Sequence, residues 1–278
     1  MKTECYDLHC HSLASDGSLS PTALIMRAAE QGVTDLALTD HDTTAGLLEA
    51  RQTAETCNIN LIPGIEISTS WKNKCFHIIG LNINPENEVL QQGLKDLQHT
   101  RQQRAKKIAD KLARQKIFDA YPAVIEMTSG GMPTRTHFAE FLLTRQYVST
   151  MQEAFDRYLA QGKPAFVATQ WAELDAAIAW ITGAGGIAVL AHPMRYKITA
   201  SWMRRLLDSF KAMGGGAIEV VSGGRNNPDE IHRSAEYARK FSLSGSVGSD
   251  FHNPDNVWTE LGRLAALPAG ISPVWHLF

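Results

Sequence analysis

Short apolar, β-rich runs alternate with helix-period patterns through most of the chain, which is the rhythm of βα units. The runs predict strands at residues 5–9, 35–39, 60–68, 76–83, 186–191, 217–221 and 243–248. Between the first two, "SLSPTALIMRAAEQG" has Ser20 as N-cap, Pro21 at the first helical position and Gly32 beyond the end, so a helix is predicted there. From about residue 86 to residue 163 the strand rhythm stops, leaving only helical patterns separated by "SGGMPTR" and "QGKP". The pattern therefore reads as an α/β, barrel-like domain of residues 1–85 and 166–278, interrupted by an all-helical insertion at 86–165. No short-period repeat or low-complexity tract occurs.

Composition narrows the class. With 278 residues, 44% apolar and 20% charged, the chain can bury a large core and is unlike a disordered one. Lys and Arg (27) nearly balance Asp and Glu (29), a net charge of −2. That argues against tracking long nucleic acid through many phosphate contacts and leaves room for a short or small anionic ligand. Cys5, Cys10, Cys57 and Cys75 form no C-x-x-C pair, and the start "MKTECYD" lacks the apolar core of a signal peptide. No apolar run approaches the roughly 18 residues of a membrane span, so a cytoplasmic location is expected.

Chemistry concentrates at the strand ends. In "YDLHCHSLASDG", His9 and His11 are two apart, so on a strand both imidazoles point to one face while Cys10 points away. The later strands carry "LALTDHDTT", "IPGIEIS", "FHIIG", "VLAHP" and "VGSDFH". Strand ends of an α/β barrel share one mouth, which would gather His9, His11, Asp16, His41, Glu66, His77, His192, Asp250 and His252. Six of the ten histidines fall in that set. A lone buried histidine is ordinarily a hydrogen-bonded core residue; this convergence with carboxylates points instead to metal. Asp16 also reads as a turn residue in "SDG", and Cys75 as a packed hydrophobe. Glu66 and His77 lie in mid-strand rather than at an end.

Imidazole and carboxylate donors without thiolate suit Zn, Mn or Fe(II). Nine donors exceed the needs of one ion and suffice for two to three, with positions left open for water and substrate oxygens. Such a cluster can lower the pKa of a bound water to roughly 7 and clamp phosphoryl oxygens. Phosphoester hydrolysis is its natural use.

The set "DLHCHSLASDG", "TDHDT", "PGIEIS", "HIIGLNI", "AHPMRY" and "GSDFH" resembles the PHP (polymerase and histidinol phosphatase) phosphoesterases over essentially the whole chain. The resemblance implies a distorted (β/α)7 barrel holding three metals, commonly Mn, Zn or Fe. It implies that His9, His11, Glu66 and Asp250 hold one metal, that Glu66, His77 and His192 hold the second, and that Asp16, His41 and His252 hold the third. Within the family the chain is most similar to bacterial phosphatases that remove the 3′-phosphate from nucleoside 3′,5′-bisphosphates, also described as 5′→3′ exoribonucleases on short RNA and rRNA 5′ ends. Their helical insert, "TR-x-HFA" and "YLA-x-GK" match "TRTHFAE" and "YLAQGKP", whereas Met194 in "HPMRY" stands where Gly is expected.

A doubly phosphorylated substrate calls for fixed cations besides the metals. Arg135, His137, Lys163 and Arg195 are placed to reach such a pocket, with Arg135, His137 and Arg195 as the phosphate-stabilising candidates beside a metal-bound water and Arg225 a further substrate contact. The segment "RQQRAKKIADKLARQK" has seven basic residues and one acidic. On a helix it sets Ala105, Ile108, Ala109 and Leu112 on one face and Arg104, Lys107, Lys111 and Arg114 on a neighbouring stripe, either solvated or bordering the cleft. The expected partner is a small nucleotide or short RNA, with no membrane and no stable protein partner implied. Histidinol-phosphate phosphatase and a non-catalytic metal-binding PHP module are the alternatives.

Overall fold

The computed structural model describes residues 4–223 and 227–278. The chain opens with β1 (Tyr6–Cys10), α1 (Pro21–Glu30), β2 (Asp35–Leu38), α2 (Leu47–Cys57) and β3 (Asn60–Trp71), and the three strands pair in parallel. The predicted start of α1 holds: the Ser20 side chain accepts a hydrogen bond from the Ala23 N–H, and Leu24, Ile25 and Ala28 form the buried face.

The βα rhythm then breaks. Lys72 (φ 47°) and Asn73 (φ 61°) both lie in the left-handed region, which is what a two-residue hairpin turn requires. They fold β4 (Lys74–Leu81) back antiparallel to β3. Four helices follow: α3 (Glu88–Arg114), α4 (Ala120–Met127), α5 (Arg135–Thr144) and α6 (Met151–Ala154), the last continuing into a π-helical turn at Phe155–Leu159. They enclose their own apolar cluster, in which Ala105, Ile108 and Leu112 of α3 meet Val124, Phe138 and Leu142.

The chain returns through β5 (Ala172–Glu173), α7 (Leu174–Gly183), β6 (Ile187–Leu190), α8 (Ala200–Ala212), β7 (Ala217–Ser222), α9 (Pro228–Lys240) and β8 (Ser244–Gly248). The sheet order is β1-β2-β3-β4-β6-β7-β8, with β5 a two-residue addition to β3, too short for the sequence pattern to signal. β4 is antiparallel to β6 as well. Cys10 bridges Phe251, and the Asp250 N–H donates to the His9 carbonyl at 2.8 Å, so β1 meets β8 and the sheet nearly closes. This is a distorted seven-strand barrel of the expected class. Leu8, Ala37, Ile79, Val189 and Ala217 fill its interior. Among the described residues no helix is long and apolar enough to cross a membrane.

The helical segment is fastened to the barrel rim by polar contacts. Arg101 of α3 donates to Asp42 Oδ2 at 2.6 Å and to Ser68 Oγ at 2.8 Å, while Gln98 donates to the Asp42 carbonyl at 3.0 Å. At the other end Met132 N–H reaches the Ala14 carbonyl at 3.2 Å. A Cβ on Gly131 would lie 2.2 Å from the Leu13 carbonyl oxygen, so glycine is required for that approach.

Both ends of the Arg101–Asp42 pair are buried, so removing one leaves a bare charge. Arg101→Met is expected to lower unfolding free energy by about 3–5 kcal/mol, and Arg101→Lys by less, as read from urea denaturation midpoints.

Candidate metal centre

β1 aims His9 and His11 to one side, and both are fully buried. Glu66, in mid-strand, reaches the rim because β3 outruns its neighbour. β2 pairs only as far as Leu38↔Pro63, and Glu66 then bridges His41 in the following loop. The antiparallel β4 sets His77 opposite Ser68, diagonal to Glu66. His192 follows β6, and Asp250 and His252 follow β8.

All nine sequence-predicted donors converge. Glu66 Oε1 lies 3.1 Å from both His77 Nδ1 and His192 Nε2. Glu66 Oε2 lies 2.9 Å from His41 Nδ1, 3.3 Å from His11 Nε2 and 3.4 Å from His9 Nε2. Asp250 Oδ1 is 3.3 Å from His9 Nε2 and 3.2 Å from His11 Nε2, and Asp16 Oδ1 is 3.4 Å from His252 Nε2. Three groups of donors are compact enough to hold an ion: His9, His11 and Asp250; His41, Glu66 and His77; and His11, Asp16, His41 and His252. The grouping differs from the implied one: His11 and His41 each belong to two sets, Glu66 belongs to one set rather than two, and His192 touches Glu66 from outside that set.

The donor set fits divalent ions. Ligand atoms each about 2.1 Å from a shared ion stand about 3.0–3.4 Å apart at octahedral or tetrahedral angles. All but one of the contacts just given fall at that spacing, His41 Nδ1–Glu66 Oε2 at 2.9 Å lying just below it. Asp16 Oδ1, His41 Nδ1 and Glu66 Oε2 are buried without a well-formed hydrogen bond, although His41 Nδ1 and Glu66 Oε2 stand 2.9 Å apart, a costly arrangement for bare donor atoms.

Electrostatics keep the carboxylates ionised. Burial alone would raise Glu66, yet His41, His77 and His9 hold it well below the usual carboxylate range. Burial is likewise outweighed at Asp250 by Arg195, His9 and His252, and at Asp16 by His41 and His252. Burial pulls His41 down to about 4. It opposes a charge on His11 too, but contacts with Asp250 and Glu66 push that imidazole up to about 10.

The cluster opens into a cleft of about 660 Å³ between the barrel rim and the helical segment. Asp16, His41 and His77 line one side, and Arg101, Arg104, Arg135 and Arg195, with Lys74 and Lys197, are the cations among the other lining residues. Arg195 donates to Asp250 Oδ2. The other sequence candidates lie elsewhere. His137 is buried, and its Nδ1 accepts from the Thr134 N–H at 3.1 Å, closing a capping box at the start of α5. Lys163 is exposed and not among the lining side chains, and Arg225 lies outside the described residues. Cys75 is exposed and lines the cleft rather than packing as a hydrophobe, because β4 overhangs the rim there. The basic stripe divides: Arg104 faces the cleft, whereas Lys111 donates to the Phe166 carbonyl at 2.6 Å.

Sequence reasoning placed Arg104 only on a stripe that was either solvated or bordering the cleft, and it missed several other residues that shape the site. Arg101 and Arg104 both lie over the Trp171 ring at 5.2 Å. Thr136 donates to Asp16 Oδ2 at 3.0 Å. Asp40 accepts from Ser12 and Ser15 beneath His11. Glu219 contacts His9 from β7, and its one signal was a charge inside the apolar run "AIEVV".

Known proteins resemble the chain over most of its length. The PHP domain family's model matches residues 7–168. A 5′-3′ exoribonuclease of Haemophilus influenzae is 46% identical over 276 residues, covering 99% of this chain and 100% of that protein. A 3′,5′-nucleoside bisphosphate phosphatase of Chromobacterium violaceum is 41% identical over 271 residues, covering 97% and 95% respectively. Among solved structures, an amidohydrolase from Chromobacterium violaceum, with bound sulfate and no metal, superimposes with a TM-score of 0.93 at 41% identity, covering 98% of this chain and 94% of that one.

In the metal-free protein the pKa directions make the donor cluster's own contribution to stability greatest near pH 6.5. The carboxylates' contribution is complete above their unfolded pKa of about 4 and is lost as pH falls through their lower folded values. His41, folded at about 4 against 6.5 unfolded, adds stability as pH rises between those values. His11's contribution is complete below 6.5 and is lost as pH climbs through about 10. Urea midpoints of chelator-treated protein are expected to fall on both sides of that maximum, and divalent metal is expected to restore the alkaline side. A flat profile after chelation would contradict the assignment.

Proposed function

The chain belongs to the PHP domain family, and from that premise we propose that it hydrolyses phosphate esters with divalent metals, removing the 3′-phosphate of nucleoside 3′,5′-bisphosphates. Trimming of short 5′-phosphorylated RNA from the 5′ end is the same chemistry applied to a diester. The observation that carries the substrate class is a pair of half-buried guanidiniums without a carboxylate partner, facing the donor cluster across one cleft. Among the described residues no carboxylate pairs with Arg104 or Arg135, and Arg104 Nε is buried without a partner. Burial, with Arg135 and Arg101 nearby, pulls Arg104 down to about 9, which leaves it charged at neutral pH. Burial also lowers Arg135. Such cations await an anion, and a guanidinium fork matches phosphate.

In this reading His9, His11, Glu66 and Asp250, with His77 and His192 and with Asp16, His41 and His252, hold two to three ions, manganese foremost. Divalent ions there supply Lewis-acid polarisation of phosphoryl oxygens and acidify water at neutral pH. The protein's own part is positioning. Arg104 and Arg135 take the phosphate that is not cleaved, and Arg195, anchored on Asp250, presents its remaining N–H groups where the cleft meets the donors. The helical insertion, residues 86–165, acts as a substrate cap, since it supplies three of the four arginines. A cytoplasmic enzyme acting on nucleotide or short RNA is the consistent setting. Histidinol phosphate fits less well, because its ammonium end would meet these arginines.

Manganese-loaded protein is expected to release phosphate from adenosine 3′,5′-bisphosphate and mononucleotides from a 5′-phosphorylated oligoribonucleotide. Arg104→Met or Arg135→Met is expected to raise KM about 10- to 100-fold with a smaller change in kcat, in line with the loss of one charged hydrogen-bond pair. Failure to release either product, or turnover of histidinol phosphate in preference to both, would refute the reading.

A further inference from the structure

Of the buried carboxylates near the cluster that are not among the donors, Glu219 is the one hydrogen-bonded to a donor imidazole among the described residues. Glu219, on β7, is fully buried. Its Oε1 lies 2.9 Å from His9 Nδ1, and its Oε2 accepts from the His192 backbone N–H at 2.5 Å and from Ser222 Oγ at 3.2 Å. One side chain thus holds an imidazole on β1 and the main chain after β6. Between Glu219 and His9 stands Gly248 of β8. A Cβ there would lie 2.3 Å from His9 Cβ and 2.7 Å from Glu219 Oε1, so the missing side chain leaves the corridor the contact runs through.

We propose that Glu219 is a positioning residue that fixes the tautomer of His9 and the backbone of His192, and so sets the affinity of the innermost metal position. The inference rests on the reading of the cluster as a metal centre. A carboxylate only accepts, so His9 Nδ1 must carry the proton and Nε2 must present its lone pair. Nε2 is the atom that faces His11 Nε2 at 3.0 Å, Asp250 Oδ1 at 3.3 Å and Glu66 Oε2 at 3.4 Å. His192 stands at φ 30°, ψ 59°, immediately before Pro193, a conformation that most residues avoid. The bond to Glu219 satisfies its N–H in that pose and leaves His192 Nε2 against Glu66.

Glutamine cannot do both tasks. If its oxygen keeps the His192 N–H, its NH₂ faces His9 Nδ1 and drives the proton onto Nε2. If it turns over, the NH₂ opposes the His192 N–H. Glu219→Gln is nearly the same size, so packing is kept while the hydrogen-bond polarity is broken.

The test measures zinc rather than turnover. Zinc stoichiometry and affinity are determined against a competing chelator for wild type and Glu219→Gln, alongside the melting temperature of each metal-free protein. Histidine-selective ¹⁵N NMR of the zinc-loaded wild type reads the His9 tautomer. The expected result is a 10- to 100-fold weaker affinity for one ion in the variant, a metal-free melting temperature close to wild type, and a protonated Nδ1 on His9 in the wild type. Equal zinc affinity in both proteins overturns the proposal, and so does a variant whose metal-free melting temperature falls while its affinity is unchanged. Should Glu219→Gln not fold, the wild-type NMR decides: zinc on Nδ1 of His9 overturns the proposal, and zinc on Nε2 with a proton on Nδ1 upholds it. A wild type that binds no zinc fails the metal-centre reading itself, a separate outcome.

Discussion

Glu66 surrounded by five imidazoles is the contact on which the architecture turns. A carboxylate almost fully removed from water is tolerable only if donors or cations replace its hydration. Here the replacement comes from β1, β4 and two loops, so the strands must end at one level on one side. That requirement accounts for the irregular part of the barrel. A regular βα unit would have carried the fourth strand parallel to the third and set His77 at the opposite end. The hairpin at Lys72 and Asn73 reverses it and brings His77 back over Glu66.

The helical segment takes part in the same assembly. Arg101 and Gln98 clamp Asp42, next to His41, while Thr136 holds the free oxygen of Asp16. Two donors of one grouping are therefore oriented from outside the barrel. The same helices line the cleft with guanidiniums, so the elements that position donors also supply the opposing charge. A chain with a net charge of −2 can in this way keep a strongly cationic wall without being a basic protein overall.

Most of this was legible in the sequence wherever periodicity or residue type carried it. The i, i+2 pairs His9/His11 and Asp250/His252, the N-cap at Ser20 and the strand starts follow from local rules, and the structure places them within a residue or two. What escaped was set by long-range geometry. The direction of β4 depended on a turn without glycine. His137 looked like a phosphate ligand because it sits beside Arg135, yet at the third position of α5 its shorter reach is to its own cap. Glu219 and Arg104 were hidden for opposite reasons: one is a single charge in an apolar strand, the other one charge among many on an amphipathic helix. In both, only the partner across the fold reveals the role.

Part of the backbone strain lies at the same rim. Asp42 (φ 53°), His192 (φ 30°) and Asp250 (φ 53°) are left-handed without being glycine. Each such residue costs on the order of 1–3 kcal/mol and persists only where its surroundings over-determine it. Each is over-determined here by polar contacts. Asp42 is held by Arg101 and the Ser68 N–H, His192 by Glu219, and Asp250 by the His9 carbonyl and Arg195. Those contacts offset the strain, and the strained residues turn the chain sharply at the strand ends. A strand that ran straight on would carry its next side chain past the mouth; the left-handed residue folds it back over the opening. The strain is thus the geometric condition for packing nine donors into one rim.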